Sequence, residues 1–339
     1  MKNTLVLDAL NCRNRGRTPV WLMRQAGRYM PQYRALRQKY SFMEMCKTPE
    51  LAAEITMLPI NEFGFDAAIM FSDILVILDA LGAGLHFEEK VGPVIERPVS
   101  CWNDVEKLSP TSIPEKLSYV GDAIRLLKSQ LDRPLLGFCG APFTVASYLI
   151  EGGSSRDLKK TKQWMLRDPE SFHRLLALIA ECTIDYLNMQ VDAGVDAIQI
   201  FDSWAHVLAE QQFREFSLSY MERVMRGIKN RELPVILFCK ASSLFAPLLA
   251  EIRPAAISLD WNGDVAQIRQ NLSQGIALQG NLDPDVLYAP AAKIRQEVQR
   301  LLESMKNDPG YVFNLGHGIH PDIPVDSVRV LVETIREGS

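Results

Sequence analysis

Short, nearly continuous runs of apolar residues recur along this chain, and longer amphipathic segments separate them. Apolar runs without strict alternation are typical of strands that are buried on both faces, as in a parallel sheet covered by helices. Such runs predict strands at residues 66–71, 135–139, 197–201, 235–239, 256–259, 276–279 and 311–315. The pattern therefore indicates a series of parallel strands.

The amphipathic segments between the runs predict helices, among them 169–193, 209–230, 290–304 and 325–337. Repeated βα units favour an α/β fold of the (β/α)8 TIM barrel type over a doubly wound sheet. No linker rich in Pro, Gly or Ser divides the chain. We therefore expect a single barrel domain over residues 1–339, with its eighth strand either at 20–23 or within the β-rich stretch 85–99.

The composition excludes several classes of protein. The chain has 339 residues, of which 47% are hydrophobic and 23% charged, so wholesale disorder is excluded. No apolar run approaches the roughly 18–20 residues that span a bilayer, and the first residues lack the cleavage site of a secretory signal. Six cysteines show no C-x-x-C or H-x-C pair. We expect a cytoplasmic protein with reduced cysteines, no metal and no membrane partner.

The net charge of −4 argues against a nucleic-acid partner, but it hides a segregation of charge. The first 40 residues carry nine basic side chains, Lys2 among them, against the single acid Asp8. This segment is therefore +8, and the other 299 residues sum to −12. Arginine dominates the basic set, and its planar fork suits carboxylate or phosphate recognition. We expect an Arg-rich arm over residues 1–40 that contacts an anionic partner, although a solvated basic arm is the plain alternative.

Polar residues stand where a barrel places its active site, just past the carboxyl ends of the strands. By this rule the candidates are Asp73, Ser203, Lys240 and His317, together with Tyr148 in the segment after the second predicted strand.

Each candidate also has a plain structural interpretation. Asp73, like Asp202 beside Ser203, could cap a helix, and Tyr148 lies on an apolar stretch that is typical of a core. Lys240 could form a Schiff base or pair with an acid. His317 stands between two glycines, which indicates a close backbone approach, and glycines after the last two strands leave a phosphate site open.

Six sequence motifs appear in order and cover nearly the whole chain. They are RQAGRYMPQYR (24–34), FSDIL (71–75), GAPFTVASYLIEGG (140–153), QIFDSWA (199–205), LQGNLDP (278–284) and NLGHGIHPD (314–322). In this combination the chain resembles the uroporphyrinogen decarboxylase family. Two positions depart from the family pattern, because Ala241 and His206 stand where glycine is common.

The resemblance implies a cytoplasmic homodimer that needs no cofactor. It would remove the four acetate carboxyl groups of uroporphyrinogen III, giving coproporphyrinogen III and four CO2 in haem biosynthesis. The residues that match the family's substrate-binding positions are Arg24, Gln25, Ala26, Gly27, Arg28, Asp73, Tyr148, Ser203 and His317. Asp73 matches the aspartate that stabilises the transition state.

These residue types suit the implied chemistry. We expect Asp73 to accept hydrogen bonds from the pyrrole nitrogens, with a nearby arginine holding its pKa down. Arg24 and Arg28 would orient carboxylates, with a proton-transfer role open for either, and His317 could shuttle protons. Two other enzyme classes remain open: a cobalamin-linked methyltransferase, which would need a thiolate-bearing zinc site, and a Schiff-base lyase that uses Lys240.

Overall fold

The computed structural model describes residues 3–89 and 91–338, so Lys2 of the basic segment lies outside the described residues. Its strands are β1 Ala68–Ile69, β2 Leu85–Glu88, β3 Gly92–Ile95, β4 Leu135–Gly140, β5 Ala197–Asp202, β6 Val235–Cys239, β7 Ala256–Ser258, β8 Ala277–Leu282 and β9 Tyr311–Leu315. A curled sheet has the order β1-β4-β5-β6-β7-β8-β9, and all its pairs are parallel. The seven predicted strands are confirmed as one parallel sheet.

Helices follow the strands and cover the sheet. They are α1 Leu5–Leu10, α2 Pro31–Lys39, α3 Phe42–Lys47, α4 Pro49–Phe63, α5 Val76–Ala80, α6 Trp102–Val105, α7 Ile113–Lys116, α8 Ser118–Gln130, α9 Pro142–Glu151, α10 Lys159–Arg167, α11 Pro169–Ala193, α12 Glu210–Gln212, α13 Ser219–Gly227, α14 Ser242–Glu251, α15 Val265–Gln270, α16 Ala291–Ser304 and α17 Val325–Glu337. A π-helical segment, Phe213–Leu218, joins α12 to α13, and 3-10 turns lie at Ala205–Val207 and Pro284–Tyr288. No helix of the described ranges is long and apolar enough to cross a membrane.

Among residues 3–89 and 91–338, the predicted eighth strand is not formed, and the sheet does not close with eight strands. The stretch 85–99 instead contains the separate antiparallel hairpin β2–β3. Val20 makes a single parallel bridge to Phe313 of β9, and its carbonyl accepts a bond from the Asp66 N–H at 2.8 Å. The segment does not continue as a strand because the N–H of Leu22 and that of Met23 donate to side-chain oxygens, those of Gln25 and Asn314.

Strand β1 is shorter than predicted for a similar reason. Residues 66–71 are apolar enough for a longer strand, but the Phe71 N–H donates to Thr56 Oγ1 in α4 at 2.9 Å. The Met70 N–H still donates to the Leu136 carbonyl of β4 at 3.0 Å, so the chain leaves the sheet directly after that bond. The turn leads directly to Asp73.

The predicted helices 169–193 and 325–337 have the predicted bounds. Asp168 caps α11, because its side chain accepts the Ser171 N–H at 3.2 Å. The predicted helix 209–230 is interrupted by the π-helical segment, which carries Ser217 to a buried bond with Asp202 at 2.6 Å.

The N-terminal basic segment is distributed over two ends of the sheet. At the amino end, the half-buried Arg17 pairs with the buried Asp66, to which Asn3 also donates at 2.8 Å. Arg13 pairs with Asp8 on the exposed surface. The chain then passes beside β9 at Val20 and reaches the carboxyl end. The basic segment is therefore divided, and only the residues from Arg24 onward lie at the carboxyl end of the sheet.

Candidate active site

Five candidate residues lie past strand ends at the carboxyl side of the sheet: Asp73, Tyr148, Ser203, Lys240 and His317. Ser203 directly follows β5, and His317 follows β9 after one glycine, while Tyr148 lies in α9 after β4. The charge of Arg24 acts on the titration of both Asp73 and His317. Asp73, Tyr148 and His317 therefore share Arg24 as a charged neighbour, whereas Ser203 is placed by β5.

Arg24 begins a turn, and the buried segment 20–23 before it holds that turn in place. Its backbone has φ of 61°, in the left-handed region. Gln25 is buried, and its side chain donates to the Ala67 carbonyl at 3.2 Å, so it faces the protein interior. Tyr29 closes the turn with a 2.6 Å bond to the Gln25 carbonyl. Ala26 and Gly27 are half-buried and form its outer surface.

The exposed Arg24 side chain passes over Gly318. A Cβ atom at position 318 would overlap the aliphatic part of that side chain. Arg24 forms no ion pair or hydrogen bond among residues 3–89 and 91–338. Its guanidinium is therefore available to an anion.

Arg28 is also exposed and has no acidic partner among the residues that the structure describes. Its carbonyl accepts a bond from Arg34 at 2.9 Å, which ties the turn to α2. The ring of Tyr33 in α2 packs edge-on against Phe71 at 5.8 Å, close to Asp73 in sequence. The turn and α2 are thus fixed over the end of β1.

Asp73 is half-buried and holds one oxygen against the backbone, since Oδ1 accepts the Leu75 N–H at 2.9 Å. Burial raises the pKa of Asp73 to about 6, and the Leu75 N–H and the Arg24 charge oppose this rise. The expectation that an arginine holds this pKa down is therefore only partly met, because burial outweighs it. A pKa of about 6 still leaves the group mainly ionised at neutral pH.

The indole of Trp204 forms one wall of the site. The ring of half-buried Tyr148 contacts it edge-on at 5.9 Å, and the Lys240 ammonium lies 4.9 Å from its centroid. His206, one of the two departures from the family pattern, stacks on it at 6.0 Å. Burial raises the pKa of Tyr148, so the phenol keeps its proton and can donate.

Ser203 is held in place by groups that the sequence does not reveal. Asp202 before it is fully buried and accepts bonds from Thr144 Oγ1 and Ser217 Oγ, each at 2.6 Å. Thr144 Oγ1 also accepts the Trp204 N–H at 3.0 Å. Burial raises the pKa of Asp202 to about 6, against these hydrogen bonds. Asp202 thus fixes the loop rather than capping a helix.

His317 is half-buried between Gly316 and Gly318. The expected close approach is confirmed: a Cβ at Gly316 would meet the Trp261 backbone nitrogen, and one at Gly318 would meet Arg24. Burial, followed by the charges of Arg24 and Lys240, lowers the pKa of His317 to about 3. The imidazole is therefore neutral near pH 7, and the expected proton shuttle is not favoured.

Metal-binding side chains do not cluster in this site. Within residues 3–89 and 91–338, no group of three or more His, Cys, Asp or Glu side chains could hold a metal ion. His173 and His320 contact Glu215 and Asp285 outside the site.

Comparisons with known proteins agree with the motifs. A family model described as uroporphyrinogen decarboxylase matches residues 1–338. A uroporphyrinogen decarboxylase of Protochlamydia amoebophila (strain UWE25) is 57% identical over 335 residues, which cover 99% of this chain and 92% of the relative. Another, from Alkalilimnicola ehrlichii, is 47% identical over 99% of this chain and 94% of its own.

Among solved structures, a methyltransferase from Methanosarcina mazei superposes with a TM-score of 0.82 at 22% identity, covering 99% of this chain and 98% of its own. At this identity the likeness shows a shared fold alone. The match to the family model and the two decarboxylase relatives extend over nearly the whole chain. The chain therefore belongs to the uroporphyrinogen decarboxylase family.

Proposed function

We propose that this chain removes the four acetate carboxyl groups of uroporphyrinogen III, giving coproporphyrinogen III and four CO2 in porphyrin and haem biosynthesis. The observation that carries the site assignment is a single half-buried carboxylate, Asp73, beside an arginine that has no acidic partner among the described residues. The substrate has eight carboxylates around four pyrroles. Such a molecule needs cations for its rim and an anion for its ring nitrogens.

Asp73 acts as the transition-state stabiliser in this proposal. Loss of CO2 from an acetate group leaves electrons that need a sink, and protonation of the pyrrole ring supplies one. The protonated ring carries positive charge on its nitrogen. An ionised Asp73 accepts hydrogen bonds from the pyrrole N–H groups and stabilises that charge as it develops.

Arg24 and Arg28 bind and orient the substrate carboxylates. Support comes from their exposed side chains and from the fixed turn between them. The pKa of an arginine exceeds about 12, which makes it a weak general acid. We therefore assign both arginines first to the orientation of carboxylates, and either solvent or one of these arginines supplies the proton that enters the ring.

Tyr148, Ser203 and His317 complete the binding site as neutral donors to carboxylates. The low pKa of His317 supports donation from a neutral imidazole N–H. Gln25, Ala26 and Gly27 contribute through the shape of the turn, since Gln25 directs its side chain inward.

The segment 24–40 closes over the cleft in this proposal, and the segment 19–23 takes the place of the eighth strand. The contact between Tyr33 and Phe71 supports the first assignment. The bonds of Val20 to both edges of the sheet support the second. The whole chain then acts as one barrel domain.

We also propose a cytoplasmic homodimer that requires no cofactor, as the family resemblance implies. The six cysteines are free, which suits a reducing compartment. Light scattering of the purified protein tests the dimer.

Anaerobic incubation with uroporphyrinogen III tests the function. The expected result is a series of products with seven, six, five and finally four carboxyl groups, with CO2 released at each step. Binding without CO2 release would contradict the proposal. Activity restored by zinc after chelation would support the methyltransferase alternative, and a borohydride-trapped adduct at Lys240 would support the Schiff-base alternative.

A further inference from the structure

Lys240 directly follows β6, and its ammonium is a half-buried cation without an acidic partner. Among residues 3–89 and 91–338, no carboxylate forms an ion pair with it. Its one described contact is with the Trp204 ring, 4.9 Å from Nζ to the centroid. A cation–π contact contributes about 0.5–2 kcal/mol, which compensates only part of the loss of hydration. No described carboxylate therefore neutralises the Lys240 charge.

The charge of Arg24 further destabilises the protonated form of Lys240. Burial lowers the pKa of Lys240, and the Arg24 charge lowers it further. The same two charges act together on His317. Arg24 also has no acidic partner among the described residues. Arg24 packs over Gly318, the residue after His317, so two cations without acidic partners lie near one histidine and favour an anion there.

The register of the sheet places Lys240 within the substrate site. Asp202 at the end of β5 pairs with Cys239 at the end of β6. Ser203 and Lys240, the next residue of each strand, therefore leave the sheet side by side. Lys240 thus stands next to a residue already assigned to substrate binding.

The backbone beneath Lys240 is held firmly. Ala241 has φ of 57°, a conformation that costs a residue other than glycine about 1–2 kcal/mol. Asp260 secures the turn by accepting the Ala241 N–H at 3.1 Å and the Ser243 N–H at 2.9 Å. Its own N–H donates to Ser242 Oγ at 2.7 Å. These bonds fix the position from which the lysine side chain extends.

We propose that the Lys240 ammonium and the Arg24 guanidinium together bind one carboxylate of the porphyrinogen, either a propionate or an acetate. This inference rests on the proposed decarboxylation, because it takes the same substrate in the same site. Lys240 acts here as a substrate-binding cation and forms no covalent bond. The substrate offers no aldehyde or ketone with which an amine could condense.

Kinetics with Lys240→Met test this role, since methionine retains an unbranched apolar side chain and removes the charge. We expect KM for uroporphyrinogen III to rise at least about tenfold, with a smaller change in kcat, because a charged hydrogen bond to substrate is lost. Lys240→Arg should restore most of the affinity. The matched control is Lys306→Met on the exposed amino side of the sheet, which should change neither constant.

Two substrates distinguish the kinds of carboxylate. Uroporphyrinogen carries eight carboxylates, whereas the last intermediate keeps four propionates and only the reacting acetate. An equal rise of KM for both indicates a carboxylate that both substrates carry, a propionate or the reacting acetate, and a rise confined to uroporphyrinogen indicates a non-reacting acetate. Unchanged KM for both would overturn the inference. If the wild-type protein itself releases no CO2, the proposed function fails instead.

Thermal unfolding separates binding from a structural role. If Lys240 binds substrate, removal of an uncompensated cation beside Arg24 should leave Tm unchanged or raise it. If Lys240 mainly holds Trp204 in place, Lys240→Met should lower Tm. A lower Tm with no rescue of KM by Lys240→Arg would overturn the proposal.

Discussion

Gly318 is the residue whose lack of a side chain determines where Arg24 can lie. We expect Gly318→Ala to displace the Arg24 guanidinium and to raise KM for uroporphyrinogen III, because the new methyl group would overlap the arginine stem. Steady-state kinetics measure this effect. The matched control is Gly275→Ala, whose added Cβ meets only Ser273 Oγ at an ordinary 3.6 Å. Equal kinetics for the two variants would contradict the assigned position of Arg24.

Asp73 links function to stability through its titration. Burial raises its pKa from the ordinary value of 3.8 to about 6, so the folded protein binds this proton more tightly than the unfolded chain. Unfolding between these values releases a proton, and the free energy of unfolding therefore falls as the pH rises from about 4 to about 6. The stabilising contribution is fully present below pH 4 and is lost above pH 6.

Asp73→Asn should remove this pH dependence while keeping the acceptor for the Leu75 N–H. Relative to wild type, we expect the variant to gain about 2–3 kcal/mol in the free energy of unfolding between pH 4 and pH 8. Urea unfolding at the two pH values measures it, and comparison with wild type cancels the other titrating groups. If the free energies of unfolding of the two proteins differ by the same amount at both pH values, the pKa of Asp73 is not raised by folding.

At this scale the sequence predicts which residues stand at strand ends, because those positions follow directly from the strand pattern. It does not predict the charge states. The neutral imidazole of His317 results from burial beside Arg24 and Lys240, which are distant in sequence. Such long-range effects exist only once the chain has folded.

At the scale of elements, Thr144 joins α9 to the loop after β5. Thr144→Val removes a donor to the buried Asp202 and an acceptor of the Trp204 N–H. We expect the free energy of unfolding to fall by about 1–3 kcal/mol, because a buried carboxylate loses a partner. We also expect kcat/KM to fall, since Ser203 and Trp204 lose their support.

Thr183→Val is the matched control. This threonine is also buried, but it donates at 2.8 Å to the Ile179 carbonyl within α11, an acceptor of the helix's own bonds. Loss of this hydrogen bond should lower the free energy of unfolding by much less. Equal losses in the free energy of unfolding would show that the hydrogen bonds of Asp202 contribute no more to stability than a hydrogen bond within a helix.

The elements themselves are largely predictable from hydrophobic periodicity, as the exact bounds of α11 and α17 show. Three features differ because specific side chains replace backbone partners. Thr56 accepts the Phe71 N–H beyond the short β1, the oxygens of Gln25 and Asn314 prevent an eighth strand, and a π-helical segment interrupts the helix predicted at 209–230. Periodicity contains no information on such pairings.

At the scale of the whole molecule, Arg17 ties the N-terminal segment to the start of β1. It donates at 2.7 Å to the buried Asp66, which also accepts the Val20 N–H at 2.8 Å. We expect Arg17→Met to lower the free energy of unfolding by about 3–5 kcal/mol, because it leaves a buried charge with too few partners. Denaturant unfolding measures this loss.

Arg13→Met serves as the control from the same basic segment. Its pair with Asp8 is exposed, with a 3.4 Å distance, so the expected change is below about 1 kcal/mol. Similar losses for both variants would contradict the distinction between the two arginines. A charge count detects the basic segment as a whole. It does not show that Arg17 pairs with Asp66 at the amino end of the sheet while Arg24 lies at the carboxyl end.

The turnover of uroporphyrinogen III by Asp73→Asn under anaerobic conditions is the most direct test of the proposed role of Asp73. We expect a folded protein that still binds the substrate but loses at least about 100-fold in kcat, because the developing cation loses its counter-charge. Products should then retain all eight carboxyl groups on the time scale in which wild type forms the tetracarboxylate. Near wild-type turnover by Asp73→Asn would contradict the central role of this carboxylate.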